Sequence, residues 1–402
     1  MSLKLEIEKL VYGGQGLGRV DGRAVLVPFV LPGEQLEVEA VRETPSLIHA
    51  RPLDLSRRSE HRVTSGCPVY GECGGCQYQH IAYPQQLEFK REILRETLRR
   101  VGKITWQGPI ETISGEPWGY RNRTQLRVAR RGRKVVVGFL EAGSHRLIHA
   151  SQCPINSPAL NRAHQALLEM AHQRRFPQFL HEVEFFTNET DVQLNVHETE
   201  QPLSKTFFEW CGETIPGFAP GEYIDYPSGG DLFRVDSRSF FQVNRFLTAK
   251  LTEAAVAQAE GSRALDLYAG VGLMTLPLAR KFAEVVAVDS SLRAVRSLQF
   301  NVERAALNVK AVNLNVEEYL PSCEEGVDFV VADPPRAGLG PKITAELMRL
   351  RARRVALVSC DPATLARDLA ALTAGGYEIA KITFVDMFPQ TFHIECVVDL
   401  RC

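Results

Sequence analysis

The sequence predicts an α/β fold: a C-terminal, Rossmann-like parallel sheet covered by helices, preceded by a small β-barrel and a central β-rich unit. Three observations carry this expectation. From about residue 231, apolar runs at 264–268, 284–289, 327–333 and 354–359 alternate with helical stretches, the texture of a sheet buried on both faces. Near the N-terminus Leu3, Leu5 and Ile7, and later Leu36 and Val38, alternate with charged residues, the period of half-buried strands. The chain has 402 residues, 45% hydrophobic and 24% charged, enough apolar mass for two to three domains at roughly 150 residues each. That composition excludes a disordered chain, and no apolar run approaches the roughly 20 residues a membrane-spanning helix needs.

Taken in order, residues 1–55 read as about five short strands punctuated by Gly13, Gly14, Gly16, Gly18 and Gly22 and turned at Pro32-Gly33. This is the pattern of an OB-like Greek-key barrel of the kind that binds oligonucleotides on one face. Residues 56–230 form the second part. An irregular stretch, 56–80, holds three cysteines. A helix over 84–103 keeps Leu87, Ile93, Leu94, Leu98 and Val101 at helical spacing, ends at Gly102, and is expected to pack on the catalytic domain. Strands follow at 135–137, 183–186 and 192–196, with a turn at 187–191 and a helix near 158–174. Residues 231–402 are the third part, closing with two strands within 381–400 around Phe388-Pro389-Gln390. The first residues lack the apolar stretch of a secretion signal, so a cytoplasmic, monomeric protein with no membrane partner is expected. In that reducing setting the nine cysteines serve as thiols, metal ligands or catalysts.

The net charge of −1 conceals an asymmetry: residues 120–134 contain Arg121, Arg123, Arg127, Arg130, Arg131, Arg133 and Lys134 and no acid. Such a local field can hold a phosphate backbone, and it can equally be a solvated hairpin face.

The first strand of the α/β part runs into Asp266-Leu267-Tyr268-Ala269-Gly270-Val271-Gly272, and Asp289 ends the next strand 19 residues after Gly270. Glycines there let a ligand approach the backbone, and the carboxylate is placed for a ribose. A dinucleotide-binding fold is the rival. Its third glycine is replaced here by Thr275, and Asp266 before the loop opposes a phosphate. A cationic cofactor without phosphate, S-adenosylmethionine, fits better than a nicotinamide dinucleotide.

Later strands deliver Asp333-Pro334-Pro335-Arg336 and Ser359-Cys360-Asp361-Pro362 to the same edge. Asp-Pro-Pro alone would suggest methylation of an exocyclic amine, but a cysteine at the rim of a cofactor pocket is placed to be a nucleophile. Carbon 5 of uracil accepts a methyl group only after a thiolate adds to carbon 6, and a base must then remove the carbon-5 proton. Cys360 meets the first need. Glu395, within an apolar strand and on the same face as His393, meets the second. Cys211, Cys323, Cys396 and Cys402 read as structural.

Cys67, Cys73 and Cys76, interspersed with Gly71, Gly74 and Gly75, suggest a metal loop, with Cys153 as fourth ligand. Zinc and an iron–sulfur cluster both suit four thiolates, in a structural or RNA-orienting role, since the uracil chemistry needs no electron.

With these motifs assembled, the whole chain resembles the RNA uracil-5 methyltransferases that carry an N-terminal TRAM domain and a four-iron cluster. The glycine-rich barrel, the four cysteines, Tyr120-Arg121-Asn122-Arg123, Gly143-Ser144-His145-Arg146, Phe241-Gln242-Val243-Asn244 and His393-Ile394-Glu395 complete the match. The resemblance implies that Cys360 is the nucleophile and Glu395 the general base. It implies that Gln242, Tyr268, Asp289 and Asp333, with Gly270 in the loop and Asn315 toward the adenine, contact S-adenosylmethionine. Cys67, Cys73, Cys76 and Cys153 would bind a [4Fe–4S] cluster. RNA is the implied partner, not DNA, with 23S ribosomal RNA favoured over transfer RNA because members with both modules mostly act on it. A non-catalytic RNA-binding protein keeping the fold is the contrasting expectation.

Overall fold

The computed structural model describes residues 2–132 and 134–402; Arg133 of the basic segment lies outside the described residues. The chain divides into two compact units, neither a continuous stretch of sequence. The first runs through Glu96 and takes in Phe139–Ala150 and Phe388–His393; the second holds Thr97–Gly138, Ser151–Met387 and Ile394–Cys402.

The first unit opens with β1 (Ser2–Val11), β2 (Gln15–Val20), β3 (Arg23–Pro28), β4 (Gln35–Glu43) and β5 (Leu47–Arg57). They close into a barrel in the order β1-β2-β3-β5-β4, the five-stranded barrel the sequence predicts. Alternate residues such as Leu5, Ile7, Val25, Val27, Leu36 and Val38 fill its interior, because successive strand side chains point to opposite faces. Gly18 is required by close approach: a Cβ there would lie 2.5 Å from Leu5 Cδ1 and 2.6 Å from the Glu6 carbonyl, beside the shift in β1–β2 register between Ile7 and Lys9. Glu34, fully buried, ties the following segment to the barrel: it accepts from Arg62 Nε and Nη2, both at 2.6 Å, and from the Leu31 and Ser59 amides at 2.8 and 3.2 Å. Burial alone would raise its pKa, but these donors hold the carboxylate below its ordinary value. Helix α1 (Tyr83–Arg100) follows.

In the second unit β6 (Ile110–Ile113) is followed by β7 (Arg123–Arg131) and β8 (Lys134–Leu140). The chain then makes the excursion Phe139–Ala150, which carries β9 (Leu147–His149) in the first unit. It returns through α2 (Pro158–Ala171), β10 (Leu180–Thr187), β11 (Val192–Thr199), α3 (Lys205–Thr214) and the hairpin β12 (Tyr223–Ser228) and β13 (Asp231–Asp236). Strands β11-β10-β7-β8 lie side by side. The turn expected at 187–191 is present, with the Asn188 side-chain oxygen accepting from the Thr190 and Asp191 amides at 2.9 and 2.7 Å.

The remainder of the second unit runs α4 (Thr248–Val256), β14 (Arg263–Leu267), α5 (Thr275–Ala279), β15 (Glu284–Asp289), α6 (Leu292–Arg304), β16 (Lys310–Asn313), α7 (Val316–Tyr319), β17 (Phe329–Ala332), α8 (Gly340–Leu350), β18 (Arg354–Ser359), α9 (Pro362–Ala374), β19 (Glu378–Val385) and β20 (Glu395–Arg401). Its sheet has eight strands in the order β16-β15-β14-β17-β18-β20-β19-β6. Strands β14 to β18 are parallel, while β20 is antiparallel to both neighbours. Every residue of β17 is buried, as a sheet covered on both faces requires. The four apolar runs read from the sequence are β14, β15, β17 and β18. The edge strand β6 was not foreseen: it lies parallel to β19, with Ile110 opposite Ile382 and Ile113 opposite Val385. Among the described residues no helix is long and apolar enough to cross a membrane.

Candidate active site

The loop after β14 is held in an unusual conformation. Tyr268, Gly270 and Gly272 lie at φ of +64°, +56° and +98°, and for Tyr268 the left-handed region is strained by about 1–3 kcal/mol. No heavy atom lies within 4 Å of where a Cβ of Gly270 would stand, so the loop faces open space at the carboxyl edge of the sheet. The Gly270 amide donates to Asp289 Oδ2 at 2.9 Å, and the Ser291 amide to Asp289 Oδ1 at 2.7 Å. Each oxygen keeps a further lone pair for a ligand hydroxyl. Thr275 Oγ1 donates to Asp266 Oδ2 at 2.5 Å, closing the base of the loop. Burial pushes the Asp266 carboxyl up to about 7 despite that hydrogen bond, and the Asp333 and Asp289 carboxylates add to the rise.

Asn315, the N-cap residue of α7, is exposed and its side chain makes no capping bond. Its neighbour Asn313, which sequence reasoning missed, donates from Nδ2 to the carbonyls of Asp289 and Ser290 at 3.0 Å each. Both asparagines are exposed, two residues apart near a strand end, and nothing in the sequence says which of them bonds back to the loop after β15.

The second cluster lies at the ends of β17, β18 and β20. Ser359 pairs with Cys396 across β18 and β20; Cys360 directly follows β18 and Glu395 opens β20, and the Glu395 carboxylate acts electrostatically on the Cys360 thiol. Glu395 is 3% exposed. Burial, then the Asp333 carboxylate, raises its pKa well above the ordinary range, and the Arg336 guanidinium works against the rise. Cys360 is half-buried, and its thiol is pushed up to about 12, first by burial, then by Glu395 and Asp333, with Arg336 again opposing. Gln242, buried, donates from Nε2 to Asp333 Oδ2 at 3.1 Å. Asp333 is raised to about 6 by burial, and the Gln242 bond counters it. In sequence Arg336 is distinguished only by its place in the Asp-Pro-Pro-Arg motif; as the cation whose field reaches both Cys360 and Glu395, it belongs to this site. Asn122 was also read only as motif: its Nδ2 donates to the Gln242 carbonyl at 2.9 Å and to the Tyr226 hydroxyl oxygen at 3.0 Å. It thereby steadies the segment that carries Gln242. Asp361 caps α9, accepting from the Ala363 and Thr364 amides at 2.9 Å each.

One expectation needs correction. His393 does not share a strand face with Glu395, because β20 begins at Glu395 and His393 belongs to the loop segment of the first unit. Cys67, Cys73 and Cys76 lie in the first unit and Cys153 in the second. Among the described residues, no three His, Cys, Asp or Glu side chains gather closely enough to hold a metal ion. The cysteine segment is nonetheless tightly wrapped: the Gly74 amide donates to the Leu140 carbonyl at 2.9 Å, and the Gly75 amide to Cys73 Sγ at 3.4 Å.

An S-adenosylmethionine molecule suits the first cluster: open space over Gly270, a carboxylate at Asp289 with lone pairs to spare, and an acidic environment for a sulfonium. Comparison with known proteins agrees. Residues 231–402 match the tRNA (uracil-5-)-methyltransferase family model, and residues 3–52 match the TRAM domain. An uncharacterized RNA methyltransferase of Halalkalibacterium halodurans is 33% identical, the match spanning 99% of this chain and 96% of that one. A relative from Thermosynechococcus vestitus is 32% identical over 98% and 97% of the two chains. The crystal structure of the Pyrococcus abyssi tRNA (uracil-54, C5)-methyltransferase with S-adenosyl-L-homocysteine superposes with a TM-score of 0.79 at 27% identity, covering 99% of this chain and 100% of that one. The chain belongs to the RNA methyltransferases, with a TRAM domain at residues 3–52 and a match to the tRNA (uracil-5-)-methyltransferase family over residues 231–402.

Proposed function

We propose that the protein methylates carbon 5 of a uridine in folded RNA through a transient Cys360 adduct, with 23S ribosomal RNA as the favoured substrate. The convergence of Cys360, just after β18, and Glu395, at the start of β20, with Asp333 and Arg336 acting on both, is the observation that carries this reading. S-adenosylmethionine supplies an electrophilic methyl group, with Gln242, Tyr268, Gly270, Asp289, Asp333 and Asn315 as its contacts. Cys360 Sγ bonds to carbon 6 of the uracil, and the electron pair of the carbon 5–carbon 6 double bond moves toward carbon 5 and its carbonyl. Carbon 5 takes the methyl group as that group's bond to the sulfonium sulfur breaks, the electron pair staying on the thioether of the departing S-adenosylhomocysteine, and carbon 5 still bears its proton. Glu395 removes that proton, the double bond re-forms, and the Cys360 sulfur leaves. Arg336 eases thiolate formation by offsetting two nearby carboxylates. In this reading residues 1–55 and 56–230 hold RNA through phosphates, residues 231–402 carry the chemistry on a flipped uridine, and the enzyme is a cytoplasmic monomer.

RNA substituted with 5-fluorouridine tests the chemistry. A wild-type complex that survives denaturation, and is lost in Cys360→Ala, is expected because fluorine cannot leave as a proton does; its absence in the wild type overturns the reading. The resemblance of the whole chain to the Pyrococcus transfer-RNA enzyme favours a second reading, transfer RNA. Mapping 5-methyluridine in cells with and without the protein separates the two. The [4Fe–4S] cluster rests on cysteine spacing and family resemblance alone. Iron and acid-labile sulfide in anaerobically prepared protein are expected under it, and stoichiometric zinc without iron removes it.

A further inference from the structure

The connection between β19 and β20 is unusual in where it belongs. Both strands are part of the second unit, but Phe388–His393 between them is part of the first. Within it Gln390 sits at φ +68°, a left-handed conformation that a non-glycine residue keeps only where its surroundings over-determine it. Here they do. The Gln390 amide donates to Gln86 Oε1 at 3.0 Å, and its carbonyl accepts from the Gln77 and Tyr78 amides at 3.0 and 2.9 Å. The Gln390 side-chain oxygen accepts from Gln86 Nε2 at 3.0 Å. Lys90, one helical turn after Gln86 on α1 and without solvent exposure, donates from Nζ to the Phe388 carbonyl at 2.9 Å. A lysine is almost never buried completely unless a specific partner requires it. Farther along, the Phe392 ring meets Tyr12 edge-on at 5.3 Å.

The chain reaches Glu395 only two residues after this segment. Glu395 is the first residue of β20, where pairing with Val385 begins. A strand frays from its end, so the conformation of the preceding loop governs where this carboxylate stands. Proton transfer needs it within about 2.6–3.2 Å of its target.

We infer that Gln86 and Lys90 are positioning residues for the catalytic base: they lock the strained loop at Gln390 and thereby fix the start of β20 and the Glu395 carboxylate. The inference rests on the role given to Glu395 above. It also assigns work to the cysteine segment, since Gln77 and Tyr78, which grip Gln390, directly follow Cys76.

The test compares full-length Gln86→Ala and Lys90→Met with Glu395→Gln, using unmodified ribosomal and transfer RNA and radiolabelled S-adenosylmethionine. A slow base strands the enzyme after methyl transfer, so a methylated protein–RNA adduct should accumulate on a denaturing gel. Release of 5-methyluridine should fall about tenfold, while the cofactor dissociation constant stays within about twofold. Turnover at the wild-type level, or slower turnover without adduct, overturns the inference, because a merely structural defect slows adduct formation as well. Should Gln86→Ala lose cofactor binding, Lys90→Met decides, together with Gln390→Asn, which tolerates the left-handed backbone but is too short to reach Gln86. Absence of adduct in Glu395→Gln overturns the assignment of the base itself. Adduct in Glu395→Gln but in neither α1 variant overturns only the positioning role.

Discussion

The barrel and the eight-stranded sheet bury the same aliphatic residue types in opposite ways. In the barrel each strand is buried on one face: β1 alternates buried Leu5 and Ile7 with exposed Glu6 and Glu8. In the sheet β17 is buried at every residue and β18 at all but its first. A one-sided strand offers side chains along its outer face for contact with a partner. A two-sided strand has no such face, so its chemistry collects where the strand runs out, and Tyr268, Asp289, Asp333 and Cys360 all stand at or just beyond the ends of β14, β15, β17 and β18. The barrel is suited to holding a large substrate and the sheet to transforming a small part of it.

Four substitutions can break or sharpen that division. The largest effect is expected for Glu395→Gln at the sheet edge: kcat falls about 10²–10⁴-fold, with cofactor affinity little changed by equilibrium dialysis. Because a base must be ionised, wild-type kcat should rise with pH along a limb displaced above the ordinary carboxylate value of 4.5, and the variant should lose that limb. Next is Gly18→Ala, whose new Cβ meets the Glu6 carbonyl at 2.6 Å. It should destabilise the barrel by about 1–3 kcal/mol in denaturant titration and leave S-adenosylmethionine binding intact; equal loss of both would dissolve the division. Gln242→Ala removes the donor to Asp333 and lets its pKa climb beyond about 6. Cofactor binding should weaken about tenfold, roughly 1.4 kcal/mol, measurable by calorimetry.

The smallest effect concerns Asp266. Its folded pKa of about 7 lies above the ordinary 3.8, so between those values the native state binds more protons than the unfolded one. Its contribution to stability is therefore full below pH 3.8 and is lost as pH rises toward 7. Asp266→Asn should flatten the decline in Tm between pH 5 and 8 by roughly 2–4 °C. It flattens it only in part, since Asp333 and Glu395 are also raised and slope the same way.

The strands of both regions could be read from sequence because their signals are local: alternation in the barrel, and unbroken apolar runs ending in glycine or acid in the sheet. The motif residues at those strand ends followed directly. What escaped was set by distant partners. Ile110–Ile113 is four residues long, and its pairing with β19 depends on chain some 270 residues away. Alternation extends the last strand back to His393 because it cannot reveal where pairing stops; the loop that ends it is held by Gln86 and Lys90 on a helix far earlier in the chain. Asn313 and Asn315 look alike in sequence, and only the carbonyls of Asp289 and Ser290 distinguish them.

Strand β6 has a practical consequence for anyone isolating the methyl-transferring half. Residues 231–402 make a self-contained match to a family model, yet the outermost partner of β19 comes from Ile110–Ile113. A fragment cut at residue 231 would bare the unpaired amides and carbonyls of β19, a template for intermolecular zippering. Such a truncate should precipitate or self-associate unless the 110–113 peptide is grafted back onto it.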